Sequence, residues 1–93
     1  MGAVSESILE QAQRLVYGPR ESSYGHPAED YRRVARLWTV ILGHEVTSAQ
    51  AALCMVAVKI AREIHKPSVE NRVDGAGYFA VVDRIRRREA GLE

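Results

Sequence analysis

Few side chains in this sequence combine reactive or charged chemistry with a spacing that would let them act on another molecule. Lys59 and Arg62 stand three apart in TSAQAALCMVAVKIAREIH, residues 47–65, so a helix puts both on one side. No other charge lies between Thr47 and Ala61, and a cation in such apolar surroundings must be paired or must line a cavity. A second set follows in ENRVDGAGY, residues 70–78. Glu70, Asp74 and Tyr78 recur at spacing four, which is one helix face, and Asn71 sits beside them. If these two segments pack as antiparallel helices, Lys59 and Arg62 face Asp74. That arrangement has two readings. One is a structural salt bridge tying two helices, with Glu63, four after Lys59, as a competing partner. The other is a cradle in which Lys59 and Arg62 take an anion or phosphate and the acids are arranged by them. A third set lies in GPRESSYGHP, residues 18–27, a polar stretch with two glycines and two prolines that reads as a loop. Its Arg20, Tyr24 and His26 would fold over the bundle as a lid, because loops held by helices are where binding groups concentrate. Together Arg20, Tyr24, His26, Lys59, Arg62, Asn71, Asp74 and Tyr78 form the expected binding set for an anion or phosphate compound.

Metal chemistry has less support. His26, His44 and His65 have no ligand spacing, and the HExxH pattern is absent. Magnesium needs only one or two carboxylates plus phosphate oxygens, which leaves Asp74, with Glu70 above it, as candidate ligands for a possible magnesium ion. There is no glycine-rich phosphate loop, and no serine or cysteine nucleophile can be paired with a base, so no catalytic residue is assigned. Arg84, Arg86, Arg87 and Arg88 make a basic end. Its plain role is a solvated face complementing the negative end of a helix dipole, and its alternative is a phosphate-backbone patch.

These groups need elements to hold them. Ser7 with Glu10, and Thr47 with Gln50, have capping-box spacing and mark helix starts, with Ser5 as a second candidate for the first cap. Ile8, Leu9, Ala12, Leu15 and Val16 give the first helix, about 5–17, one apolar face. Pro27 opens a second helix that Gly43 closes, with Tyr31, Val34, Ala35, Trp38, Ile41 and Leu42 along its stripe. The helix from Thr47 is apolar nearly all round and is expected to be buried on most sides, with Cys54 as a small buried hydrophobe. A last helix runs from Ser68 or Asn71 to Glu89. Gly75 and Gly77 each cost it about 1 kcal/mol of helix propensity, which suggests close approach of another helix or a ligand. The expectation is an all-α bundle of about four helices in a single domain over 1–93, with 1–4 as a loose terminus. The apolar surface on the middle helices, including Leu37, Val40 and Ile41, exceeds what so short a chain can cover. A homodimer sharing one core is therefore expected.

With 93 residues, 46% apolar and 27% charged, the composition is that of an ordinary folded domain. A net charge of +1 supplies no field for nucleic acid. MGAVSES lacks the basic and apolar regions of a secretory signal, and no apolar run approaches the roughly 18 residues of a membrane span. A cytoplasmic setting is expected.

Four stretches carry a family resemblance: PRESSYGHPAEDYRRVARLW, LGHEVTSAQ, VKIAR and ENRVDGAGYFA. Over about residues 8–85 they resemble a family of small, functionally uncharacterised phage proteins. The matching motifs are Arg20 with Tyr24-Gly25 and Pro27, Ala35 with Leu37-Trp38, Leu42-Gly43, Lys59 with Arg62, and Asn71, Asp74, Gly77 and Tyr78. The chain departs from that pattern at Glu70, where the family usually has Asp, and at Gly75, where it usually has a bulky apolar residue. More loosely, the helices are similar to all-α nucleoside triphosphate pyrophosphatases of the MazG type, although the ExxE carboxylate pair is missing. The resemblance implies an all-α fold, a phage setting and a role in nucleotide metabolism. A small protein binding a nucleotide or another phosphate compound, or a degenerate pyrophosphohydrolase, is one expectation. A non-enzymatic module acting on a host or phage protein is the other.

Overall fold

The computed structural model describes residues 6–93; the expected loose start and the alternative cap Ser5 lie outside them. Five helices follow in order: α1 Ile8–Tyr17, α2 Pro19–Tyr24, α3 Pro27–Leu42, α4 Ser48–His65 and α5 Val69–Glu89. No strand occurs among the described residues, so the fold is all-α.

The starts are chemically explicit. Ser7 Oγ accepts from the Glu10 amide at 3.1 Å while Glu10 Oε1 accepts from the Ser7 amide at 2.9 Å. Thr47 and Gln50 repeat the exchange at 3.1 and 2.9 Å. Each box satisfies two amides that a helix start leaves without partners. Ser68 caps α5 through the Asn71 amide. Between α3 and α4, Gly43 closes the first helix at φ 66°, a left-handed conformation that suits glycine. Thr39 Oγ1, one turn earlier, accepts from the Val46 amide at 2.9 Å and so fixes the turn.

The expected loop at 18–27 is instead a short helix. Pro19 sits at the first position of α2 and the Gly25 amide donates back to the Glu21 carbonyl at 2.8 Å. The reason lies in Gly18, where a Cβ would come within 2.6 Å of the Arg14 carbonyl oxygen. A glycine there lets the chain turn sharply enough for Pro19 to begin a new helix at once. Gly25 then ends it at φ 83°.

The organising helix is α5 rather than α4, because α5 packs against α1, α3 and α4. Gly75 and Gly77 make this possible. Two residues apart on a helix, they point about 200° apart, and each lies under a different neighbour. A Cβ on Gly75 would meet Lys59 Cβ of α4 at 3.8 Å, and one on Gly77 would meet Val16 of α1 at 3.5 Å. The core is built from small residues: Ala12, Ala28, Ala35, Ala49, Ala51 and Ala52, with Val16, Val81 and Ile85 filling between them. Trp38 and Tyr78 are half-buried against that cluster.

The expected burial of α4 on most sides does not hold. Its core face carries Ala49, Ala52 and Val56, but Leu53, Cys54, Ala57, Ile60, Ala61 and Ile64 are all exposed. Cys54 is thus a surface thiol. With only α3 and α5 beside it, α4 keeps an uncovered apolar face. Leu9, placed on the buried face of α1, is also exposed, as are Leu37, Val40, Ile41 and Leu42 at the end of α3. No helix among the described residues is long and apolar enough to cross a membrane.

Candidate functional site

The α4–α5 turn is short, and the pairs across it fix an antiparallel register. Glu63 Oε1 accepts from the Ser68 amide at 2.9 Å and from Asn71 Nδ2 at 3.4 Å, and Oε2 pairs with Arg72. The Ser68 amide, together with Asn71 and Arg72, holds the Glu63 carboxyl below the usual carboxylate range. One turn further from the connection, Lys59 Nζ donates to Asp74 Oδ2 at 2.9 Å. Glu63 is therefore not the partner of Lys59; it fastens the turn, and Lys59 and Asp74 meet beyond it. Both of their side chains are nearly covered, at 12% and 11% exposure.

A second cation reaches the same carboxylate. Arg20 of α2 donates to Asp74 Oδ1 at 3.5 Å, and its guanidinium lies 5.8 Å from the centre of the Tyr78 ring. Two cations thus share one carboxylate, and Tyr78 backs one of them. Beside this cluster a cavity of about 190 Å³ opens between α1, α2, α3 and α5. Its wall includes Arg20, Glu21, Tyr24, Asp30, Tyr31 and Tyr78. Burial holds the Tyr31 phenol well above its usual range, with Tyr78 and Asp30 adding to that effect, so Tyr31 presents a neutral hydroxyl. The two acids on the wall have cationic partners of their own: Glu21 pairs with Arg84, and Asp30 lies 3.5 Å from Arg33. Arg20 is the cation on this wall, and Lys59 reaches Asp74 without lining the cavity. A smaller void next to it is lined by Arg20, Asp74 and Tyr78, which joins the cavity to the ion cluster.

The structure brings Arg20, Tyr24, Lys59, Asp74 and Tyr78 to this one region. The other expected residues lie apart from it. Arg62 is exposed and lines a shallow depression at the α4–α5 end with Glu70 and Asn71. Being three residues from Lys59 was not enough to make it share Asp74, because Lys59 lies at the edge toward α5 and Arg62 is rotated away to the solvent side. Asn71 Nδ2 donates to the Lys66 carbonyl at 3.1 Å as well as to Glu63, so its amide is used in holding the turn. His26 caps α3: its Nδ1 accepts from the Ala28 amide at 3.0 Å, which leaves Nε2 to carry a proton toward Glu93 Oε1 at 2.7 Å. It braces the helix entry and does not point into the cavity. Tyr24 has an exposed ring at the cavity mouth, and its carbonyl accepts from Arg33 at 3.2 Å.

The candidate magnesium ligands fit the ion poorly. Both oxygens of Asp74 face cations, so a divalent metal would have to displace Lys59 against the charge of Arg20. Glu70 is exposed at the other depression. Among the described residues no group of three or more His, Cys, Asp or Glu is arranged to hold a metal ion.

One residue central to the site region was read differently from sequence. Arg84, grouped with Arg86–Arg88 as a solvated basic end, is 5% exposed. It pairs with Glu21 of α2 and donates to Glu93 Oε1 through Nε at 2.9 Å and Nη2 at 2.6 Å. Its guanidinium also stacks 4.3 Å from the centre of Tyr17. This clamp holds α2, and with it Arg20, against the bundle. The signal was present: Arg84 follows Gly77 and Val81 at spacings seven and three, on the buried face of α5.

Two phage proteins are similar in sequence. The Gene 55 protein of Mycobacterium phage D29 is 42% identical over 86 residues, covering 88% of this chain and 55% of that protein. The Gene 55 protein of Mycobacterium phage L5 is 35% identical over 88 residues, covering 89% of this chain and 54% of that protein. The chain therefore spans about half the length of these curated relatives. No solved structure matches it. The family model described as Domain of unknown function (DUF6378) matches residues 7–86, and the chain belongs to that family.

Proposed function

We propose that this chain is a phage-type protein that binds a small phosphate-bearing compound, such as a nucleotide, at the Arg20–Lys59–Asp74 cluster. The observation that carries the reading is that two cations share one carboxylate, and one of them, Arg20, also lines a cavity walled by Tyr24, Tyr31 and Tyr78. A phosphate would use the cationic excess, and Arg20 suits it because a guanidinium meets phosphate oxygens with paired donors. A planar group would find the Tyr24 and Tyr78 rings. The cavity is smaller than the roughly 300–1,000 Å³ of sites that enclose a whole small ligand, so it would hold one end of the compound. Paired carboxylates are missing from this reading. Any kinship with MazG-type pyrophosphatases would then lie in the helical frame and the bound nucleotide, without the hydrolysis. The setting would be the cytoplasm of an infected host cell.

The test is a panel of nucleotides and inorganic phosphate by thermal shift, with and without magnesium. A ligand at 100 times its Kd stabilises by about 2.7 kcal/mol, which is roughly 10–20 °C for a domain this size. The gain should vanish in Arg20→Met and should not depend on magnesium. No shift with any compound at millimolar concentration, or a shift that Arg20→Met leaves intact, overturns the reading.

A second reading is supported by the exposed apolar side chains of α3 and α4, with Val40 and Ile64 each 80% exposed. Surplus apolar surface of this kind marks an interface. On that reading the chain is an interaction module, and its simplest partner is another copy of itself. Sedimentation equilibrium at micromolar concentration distinguishes a homodimer from a monomer free to engage a host or phage protein.

A further inference from the structure

Tyr31 is the most deeply buried polar side chain on the cavity wall, at 9% exposure. Its hydroxyl has no hydrogen-bond partner among the described residues. Among those residues, the one side-chain polar atom sealed from solvent without a partner is Arg88 Nε, so the Tyr31 hydroxyl keeps an opening. Its surroundings show where that opening lies. Tyr78, Asp30 and Arg20, three members of the same wall, are the groups near enough to act on its ionisation. The hydroxyl therefore faces the cavity. A buried hydroxyl without a partner costs stability, and a fold that needed only a ring there would be served as well by phenylalanine. Its use lies with whatever enters the cavity.

The chemistry around it narrows what that is. Burial keeps the phenol neutral, so it is a donor that does not repel an anion. Arg20 stands on the same wall. A guanidinium and a neutral O–H suit the oxygens of one phosphoryl group, which accept charge-assisted hydrogen bonds from both.

The acids of the wall indicate the rest. Glu21 is engaged by Arg84. Asp30 has Arg33 beside it at 3.5 Å, and its side chain is 29% exposed. A carboxylate has about four acceptor positions, so Asp30 retains capacity for a hydroxyl. The same acids limit charge. Arg20 is the cation on the wall, against the two carboxylates of Glu21 and Asp30. A second and a third phosphoryl group would meet like charge, which lowers affinity.

We propose that the cavity takes a hydroxylated phosphate monoester, a sugar phosphate or nucleoside monophosphate, with Tyr31 donating to the phosphoryl oxygens beside Arg20 and Asp30 accepting a hydroxyl. The proposal rests on the phosphate-binding reading above and commits it to one charge class and two further contacts.

Isothermal titration of the 93-residue chain, without magnesium, compares ribose 5-phosphate, AMP, ATP, phenyl phosphate and inorganic phosphate. Ribose 5-phosphate and AMP should bind about tenfold more tightly than ATP or phenyl phosphate. Tyr31→Phe should leave the Tm of the free protein unchanged or raised, because it deletes a hydroxyl without a partner. The same variant should bind AMP about tenfold more weakly, the effect of one hydrogen bond to a charged group. Asp30→Asn should narrow the preference for AMP over ATP to within about threefold. ATP bound as tightly as AMP would overturn the monoester class, and phenyl phosphate bound as tightly as ribose 5-phosphate would overturn the hydroxyl contact. Either result leaves the broader phosphate reading standing, as does binding of inorganic phosphate alone, which would overturn the whole proposal. A Tyr31→Phe variant that melts lower when free, or that binds AMP like the wild type, would overturn the role of Tyr31. No binding of any of the five at millimolar concentration would end both readings.

Discussion

The Lys59–Asp74 pair can be tested by removing one charge at a time. Replacing Asp74 by Asn keeps the shape and leaves Lys59 with a neutral amide and the nearby Arg20 cation. Breaking a fully buried ion pair by removing one partner costs about 3–5 kcal/mol. Here the two side chains keep 12% and 11% exposure, so water reaches the orphaned ammonium and the expected cost is about 2–3 kcal/mol. A domain of 93 residues has a total stability of about 5–14 kcal/mol, and each kcal/mol moves its Tm by about 4–8 °C. Asp74→Asn should therefore lower Tm by about 10–20 °C. Lys59→Met should cost less, about 1–2 kcal/mol, because Asp74 keeps Arg20. The double variant buries no unpaired ammonium and should be more stable than the sum of the singles predicts, with a coupling of about 1–2 kcal/mol. Urea denaturation followed by circular dichroism measures all four corners of the cycle. Single costs under about 0.5 kcal/mol that simply add would refute the argument. The same variant separates a site from a strut. Asp74→Asn leaves two cations without an acid, so phosphate should raise its Tm more than that of the wild type. An equal response in both would mean that the pair only ties α4 to α5.

Three further outcomes follow from the packing. Arg84→Met should cost about 2–4 kcal/mol, since it strands Glu21 and Glu93 beside a buried position, and amide exchange in α2 should speed up more than in α4. Gly75→Ala should stabilise by up to about 1 kcal/mol, because its Cβ would make an ordinary 3.8 Å contact with Lys59; a lower Tm would show that α4 and α5 cannot yield even that much. Hydrogen bonds from Arg84, then from His26, hold the Glu93 carboxyl down to about 2, against 4.5 for the free group. Its folded pKa is the lower one, so its contribution is fully present above about pH 4.5 and is lost as pH falls toward 2; Glu93→Gln should flatten that part of the stability profile measured by urea titration.

The parts of this molecule that were legible in the sequence are those where local chemistry and long-range packing ask for the same residue. Ser7 and Thr47 act within one turn of themselves, so their capping boxes could be read directly. Lys59 and Asp74 could be paired because a short turn forces α4 and α5 antiparallel, and a charge on an apolar helix must find its opposite. Position along one helix did not extend that inference to Arg62, whose rotation toward solvent depends on where α5 lies. The short helix at Pro19–Tyr24 was hidden for a different reason. Its composition is that of a loop, and what makes it a helix is the tight turn at Gly18 together with the Glu21–Arg84 pair 63 residues apart. Arg84 itself shows how a chemical label can outweigh position: its place in a run of arginines suggested solvent, whereas its register with Gly77 and Val81 put it inside. Burial of α4 failed by counting. An apolar circumference states what a helix is able to bury, but only its neighbours decide how much of it is covered, and α3 and α5 occupy one side. The apolar residues that suggested a buried core helix therefore stand exposed wherever neither α3 nor α5 covers them, as Leu53, Ile60 and Ile64 do.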